Sequence, residues 1–298
     1  MFGMADVSSM AFGGAWSGKK LDVLGDYLKH YTTALKNQPF KLAYIDAFAG
    51  AGIREVMPPS PGELFDDLLA EDDANYRHGS PLIALGTEPS FDNFIFIERD
   101  AASIAKLKLQ VAASFPHKSH QVIYKHGDAN DVLRGIAEKN WTGRRAVAFL
   151  DPFALHVSWD TIAKIAGTNA IDMWLLFPAM AVNRMLARDG DIPPGWSAKL
   201  TNTFGSKDWQ EAFYVKEPAD LFGEEVTSKV PQVFKALSDY VTRRLASVFA
   251  GVVDSPLLLC NSTGSPLFLL CFGSGNPKGA QIAKRIASHI INKNSHGH

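Results

Sequence analysis

The sequence is short of cysteine. Cys260 and Cys271 are its only two, each inside an apolar run. Two such thiols offer neither a disulfide framework nor a clustered metal-binding pattern, and they fit a reducing compartment. Long apolar runs are also missing. None reaches the ~20 residues that span a bilayer, so no membrane anchor is expected. The opening MFGMADVSSMAFGGAW lacks the basic segment and apolar core of a secretory leader, so a cytoplasmic location is the expectation. Neither sign of charge prevails: 30 Lys and Arg face 31 Asp and Glu, for a net charge of -1. No overall basic field draws the chain to nucleic acid, and a polyanionic substrate would need a local basic patch. A phosphate-binding G-x-G-x-x-G is absent too. The nearest candidate, GAGIRE at 50–55, ends on Glu55, whose carboxylate would repel a pyrophosphate.

What is present begins with length. The 298 residues, 46% hydrophobic and 20% charged, suffice for one large α/β domain or two small ones. No repeat or internal boundary divides residues 17–298, which read as one domain behind a loose stretch 1–16. The most informative segment is Leu42–Gly52, LAYIDAFAGAG. It predicts a buried strand, Asp46 at the strand's end, and a turn in which Gly50 and Gly52 let a ligand approach bare backbone. In open α/β sheets ligands bind outside the carboxyl ends of the strands.

The flanking chain fits such a sheet. A helix is expected from Ser17, as N-cap, through Lys36. Leu21, Leu24, Tyr27, Leu28 and Tyr31 share one face of it, flanked by Lys19, Lys20, Lys29 and Lys36. Packing against the sheet accounts for that stripe. Residues 54–78 are proline-rich, then acidic, and read as an insertion, either a lid or a solvated loop. Ser80 with Pro81 predicts a helix start, Ser80 being the cap. Strands are expected at Asn93–Glu98, Gln121–His126, Arg145–Leu150 and Ala170–Phe177. Helices are expected at 100–115, 129–139 and 158–166. Asn183–Trp209, rich in Pro, Gly and Trp, reads as a substrate-side excursion within an insertion at about 183–230. There Arg184 and Arg188 stand four apart on one helical face. A helix at Val230–Phe249 ends near Arg243 and Arg244, where the helix dipole favours cations. Pro256–Asn261 and Leu267–Phe272 predict an antiparallel hairpin, and Lys278–Ile291 a last helix.

Polar groups then fall at successive strand ends. Glu98 ends the second strand, where an acid bonds ribose hydroxyls in Rossmann-type sheets. Asp128, followed by Ala129, leaves the third strand as a helix cap; in methyltransferases, whose first motif Asp46 through Gly52 resembles, a polar side chain here commonly bonds the adenine amino group, and one residue can do both. The fourth strand delivers Asp151-Pro152-Phe153-Ala154, and His156 close behind it is expected to bond a loop carbonyl. Asp46 through Gly52 resembles D-x-F-x-G-x-G, the first motif of S-adenosylmethionine (SAM) methyltransferases. Asp151-Pro152-Phe153 resembles in part the [DN]-P-P-[FYW] of methyltransferases that act on base amino groups. One proline is missing, and Phe153 falls one residue early for stacking on a base.

Taken together the chain resembles a class I SAM-dependent methyltransferase. The expected fold is Rossmann-like, a mostly parallel seven-stranded sheet with an antiparallel C-terminal hairpin and helices on both faces. More narrowly it resembles the three-Cys-motif partner (TcmP) family of bacteria and phages. The likeness lies in YIDAFAGAG, GSPLIAL at 79–85, FIFIE, GDAND, FLDPFALHVSWDTI at 149–162, FPAMAVNR at 177–184 and TFGSKDW at 203–209. The family's usual DPFG is DPFA here. The resemblance implies SAM as cofactor, held by Asp46, Phe48, Gly50, Gly52, Glu98, Asp128 and Ala129. It also implies an acceptor positioned by Asp151, Pro152 and Phe153, and a partner protein bearing the three-Cys motif. The expected activity is methylation of an amino group in DNA or RNA. The alternative is a non-catalytic or partner-activated subunit. A Mg²⁺-dependent hydrolase using Asp46 and Asp151 ranks last, since the glycine turn would then have no special purpose.

Overall fold

The period-2 and period-3.6 patterns resolve into one large sheet with helices on both faces. A computed structural model of the chain describes residues 15–52, 79–152, 154–217 and 226–295. Helix α1 (Ala15–Leu35) leads into β1 (Lys41–Asp46). Helix α2 (Ser80–Gly86), β2 (Asn93–Glu98), α3 (Ala101–Ser114) and β3 (Val122–His126) follow. Next come α4 (Ala129–Ala137), β4 (Arg144–Leu150), α5 (Trp159–Gly167) and β5 (Ile171–Phe177). Helices α6 (Ala179–Met185), α7 (Pro194–Phe204) and α8 (Trp209–Phe213) precede a two-stranded sheet of β6 (Tyr214–Glu217) and β7 (Val226–Lys229). Helix α9 (Val233–Ala246), β8 (Gly251–Val252), β9 (Leu257–Cys260), β10 (Pro266–Ser274) and α10 (Ala280–Ser295) complete the chain.

The main sheet has the order β3-β2-β1-β4-β5-β10-β8, with β9 also paired to β10. Strands β1 to β5 run parallel, and β10 is antiparallel to its neighbours. The order reverses between β1 and β4, which makes their carboxyl ends the switch point. Alternation along each strand divides the core. Ile45, Ala148, Leu150 and Leu175 face the layer with α5 and α9. Tyr44, Val147, Phe149 and Trp174 face the layer with α1, α2 and α10. The predicted α1 stripe is buried throughout. Helix α1 lies across the second face, so its first turns reach the carboxyl end of the strands and its later turns the amino end.

Several expectations need correction. Among the described residues the sheet has eight strands, not seven, because Gly251–Val252 pairs with the end of β10. Helix α1 already runs at Ala15 instead of starting at Ser17, where Trp16 stacks on Phe268 at 4.9 Å. Gly79, not Ser80, caps α2. Helix α9 starts at Val233 and not at Val230, since Pro231 disfavours helical backbone at Val230 and the Val230 N–H bonds the Phe213 carbonyl instead. The excursion at 183–209 is built of helices. Arg184 and Arg188 do not share a helical face, because α6 ends at Met185. The insertion at 54–78 lies outside the described residues, yet its base is defined. Gly79 N–H donates to the Gly52 carbonyl at 3.0 Å, joining the two sides of the excursion.

Candidate functional site

The glycine turn is stitched to the strands on either side. Ala47 N–H donates to the Phe149 carbonyl at the end of β4, and Ala49 N–H to the Ile97 carbonyl in β2. Gly50 has φ +57° and Gly52 φ +77°. The two glycines serve different ends. A Cβ on Gly52 would lie 2.5 Å from Leu107 Cδ1, whereas one on Gly50 would meet nothing within 4 Å among the described residues. Gly52 therefore permits packing, and at Gly50 no described residue crowds the backbone. Phe48 is half-buried against the core beside this turn.

Asp46 is fully buried beneath the turn. Its carboxylate accepts from Tyr44 Oη at 3.0 Å and from the Phe48 N–H at 3.3 Å, and from the Ser80 hydroxyl. Burial pushes its pKa up to about 6, against the lowering effect of those bonds, and the nearby Asp151 charge adds to the rise. Tyr44 is held well above the ordinary tyrosine range by burial, with Asp46 and Asp151 contributing. Asp46 thus shapes and charges the floor of the turn from within.

Glu98 brackets the turn from β2. One oxygen accepts from the Gly50 N–H at 2.9 Å and the other from the Asp100 N–H at 2.9 Å. Asp128 is exposed and caps α4 by accepting from the Asn130 and Asp131 N–H groups, while Ala129 beside it is buried. Asp128's bonds at 2.9 and 3.4 Å both fall on Oδ1. The cap expected from sequence is formed, and the carboxylate still faces solvent.

From β4, whose Phe149 lies in register with Asp46, the chain delivers Asp151 and the buried Pro152. Phe153 lies outside the described residues. Ala154 has φ +50°, a left-handed conformation in a loop where the resembling family carries glycine. Asp151 Oδ2 accepts from Lys20 Nζ at 2.7 Å, and the Lys20 side chain is 1% exposed. This lysine had read as one of four flanking the α1 stripe. In fact it lies inside the stripe, four residues before Leu24 and four after Trp16, whose ring centroid is 4.8 Å from its ammonium. The helical spacing carried that signal.

Sequence reasoning also missed Asn130. Its Nδ2 donates to the His156 carbonyl at 2.7 Å, and its Oδ1 accepts from Ser158 N at 2.9 Å and Thr161 Oγ1 at 2.8 Å. One amide thereby ties the GDAND turn to the loop that follows Asp151. The TFGSKDW segment has a packing role. Gly205 ends α7 with φ +69°, and a Cβ there would strike the Trp159 ring at 2.1 Å. Arg244 Nε donates to the Phe204 carbonyl at 3.0 Å and covers the Trp159 ring. On this side of the sheet Pro152, Leu155, Phe177 and Phe204 line a cavity of about 20 Å³, room for one water molecule and not for a base.

No family model and no curated protein matches the chain. Its fold is similar to solved structures. Protein LPL1258 from Legionella pneumophila aligns over 89% of this chain and 99% of its own at 15% identity, with TM-score 0.41. Spermidine synthase from Thermotoga maritima aligns over 88% of this chain and 60% of its own at 12% identity, with TM-score 0.41. The methyltransferase domain of bacterial CtHen1-C aligns over 84% and 98% at 9% identity, with TM-score 0.36. Identities this low leave the chemistry to be judged from the residues of this chain. Among the described residues no helix is long and apolar enough to cross a membrane.

Proposed function

We propose that the chain is a SAM-dependent methyltransferase acting on an amino group of a nucleic-acid base. One observation carries the reading: the Gly50 turn and Asp151 leave the sheet from adjacent strands at its switch point. A ligand cradled on that turn would have its reactive end at Asp151. The residues suit SAM. Gly50 offers backbone that no described side chain crowds, Glu98 stands at the ribose side, and Asp128 keeps an exposed carboxylate for an adenine amino group. Three carboxylates around the turn would repel a pyrophosphate and favour a ligand that carries an ammonium and a sulfonium.

When bound, SAM supplies an electrophilic methyl group. Asp151 accepts a hydrogen bond from the acceptor amine and turns the nitrogen lone pair toward that methyl, a proximity effect. Glu98 and the Gly50 backbone hold the nucleoside end, so the acceptor approaches from the β4 side. A base inside a duplex would have to be flipped out, at a cost of a few kcal/mol. The test is transfer of labelled methyl groups to DNA and RNA. Asp151→Ala is expected to abolish transfer while S-adenosylhomocysteine still binds. Transfer at the parent rate in that variant would refute the assignment.

A second reading follows from the TcmP resemblance: a subunit that transfers methyl groups only with a three-Cys-motif partner. The single proline after Asp151 and the ion pair on its carboxylate favour it. Full turnover by the isolated chain would exclude it. Metal-dependent hydrolysis fits less well, because the Lys20 ammonium stands on Asp151 where a divalent cation would have to bind, and Asp46 has no exposed surface.

A further inference from the structure

A buried lysine needs a partner of opposite charge, because leaving either ion alone in a low-dielectric site is costly. Lys20 has that partner in Asp151, 131 residues away in sequence and at the mouth of the switch point. The pair is built, not incidental. Trp16, itself buried, stacks on Phe268 and holds the Lys20 ammonium against its ring. The lysine stem is enclosed to 1% exposure, while Asp151 keeps 19%. The cation is therefore fixed inside and the carboxylate faces out, toward the reactive end of the ligand on the Gly50 turn.

We infer that Lys20 is the positioning residue for Asp151, fixing one carboxylate oxygen so that the other meets the acceptor amine, and neutralising the charge beside the transferring methyl. This rests on the methyltransferase reading. Lys20 neither reacts nor touches the acceptor; it acts through Asp151. Without Lys20 the site carries one positive charge fewer beside the sulfonium, which favours the cationic SAM over neutral S-adenosylhomocysteine. Without the Asp151 charge the site carries one negative charge fewer and favours the neutral ligand. Removing both charges restores the balance.

The experiment is calorimetric titration of the full chain with SAM and with S-adenosylhomocysteine, for the parent, Lys20→Met, Asp151→Asn and the double variant. The expected ratio of SAM to S-adenosylhomocysteine affinity rises about three- to tenfold in Lys20→Met, falls about as much in Asp151→Asn, and returns to within about twofold of the parent in the double variant. Lys20→Arg, which keeps the cation, stays near the parent ratio. Loss of fold or looser packing weakens both ligands alike and does not move the ratio. A parent that binds both ligands, with an unchanged ratio in Lys20→Met, overturns this inference and leaves the methyltransferase reading standing. A parent that binds neither ligand overturns both. With an acceptor in hand, Lys20→Met lowers kcat without raising KM for SAM, and Lys20→Arg recovers part of kcat; a rise in KM alone would also overturn the inference.

Discussion

Two aspartates of this chain have nearly the same surroundings and lie at opposite ends of the sheet. Asp46, at the carboxyl end of β1, accepts from Tyr44, Ser80 and the Phe48 N–H. Asp172, near the amino end of β5, accepts from Tyr27 Oη at 2.8 Å, from Ser274 Oγ at 2.6 Å and from the Gly275 N–H. Each is buried, and burial pushes each pKa up to about 6. By the usual rule that perturbed acids mark functional sites, the two are equal candidates. The sheet separates them. Asp46 underlies an open glycine turn beside Asp151. Asp172 is enclosed where β5 meets β10, with Ser274 as its register partner. A shifted acid reports burial, and strand direction reports which end can meet a ligand.

Helix α1 serves both ends. Lys20 reaches Asp151, and Tyr27, two turns later and about 10 Å along the axis, reaches Asp172. The same amphipathic face thus packs the core, holds Asp172 at one end of the sheet and meets Asp151 at the other.

Alanine at each aspartate gives the sharpest contrast. At pH 5, where both acids are largely protonated, Asp46→Ala and Asp172→Ala each leave three donors without their acceptor. Each is expected to cost about 2–4 kcal/mol in denaturant unfolding. At neutral pH the ligand separates them: Asp46→Ala lowers SAM affinity more than about tenfold, while Asp172→Ala stays within about twofold. Equal loss of affinity at both positions would erase the distinction between the two ends.

The pH dependence of stability tests the likeness itself. Each folded-state pKa of about 6 lies above the ordinary value of 3.8. Between those values the native chain holds a proton that the unfolded chain has released. Stability therefore falls as pH rises through that window, by up to about 3 kcal/mol for each acid. Asp172→Asn and Asp46→Asn should each remove one share of the slope between pH 4 and 6.5, and the double variant both. Unfolding curves across that range would show an unchanged slope if burial were not the cause.

The glycine of the turn permits a matched control. Gly50 and Gly264 both have positive φ, and a Cβ on either meets nothing within 4 Å among the described residues. Alanine at each should cost about 1–2 kcal/mol of stability through backbone strain alone. Only Gly50→Ala should weaken SAM, by about tenfold or more, since its methyl would enter the space assigned to the ligand. Calorimetry that finds Gly264→Ala equally damaging, or Gly50→Ala harmless, would move the ligand off the turn.

Much of this was legible in the sequence, and for a reason. Strand ends are read by period and punctuation, so Asp46, Glu98, Asp128 and Asp151 were each located at a strand's carboxyl end before any contact was known. Parallel order then brings those ends together. Contacts between distant segments were not legible. Nothing local says that Lys20 meets Asp151 or that Asn130 bridges to His156 and Ser158, because those pairings depend on how α1 and the loop after β4 lie on the sheet. The caps are legible in part: Asp128 caps α4, as its place after the third strand suggests, but Ser80 does not cap α2, since its hydroxyl is directed to Asp46. The small β6–β7 sheet is not legible in the sequence: its strands, YVKE and VTSK, are four residues each and mostly polar, without the apolar run that marks the equally short β9.

The smallest expected effect concerns backbone strain, and it again divides the two ends. Two non-glycine residues among those described have positive φ: Ala154 at +50°, beyond the carboxyl end of β4, and Asn169 at +51°, before the amino end of β5. Asparagine tolerates this region because its side chain bonds locally, and Asn169 Nδ2 donates to the Gly167 carbonyl at 3.3 Å. Alanine has no such compensation and bears roughly 1–2 kcal/mol. Glycine relieves that strain but adds about 0.5–1 kcal/mol of unfolded-state entropy. Ala154→Gly should therefore gain at most about 1.5 kcal/mol, while Asn169→Gly gains nothing or loses slightly. If the strain at Ala154 stiffens the loop that presents Asp151, the more stable Ala154→Gly chain should transfer methyl groups more slowly, and Asn169→Gly should keep the parent rate. A gain in both stability and rate at Ala154 would mean that the alanine is only a burden on the loop.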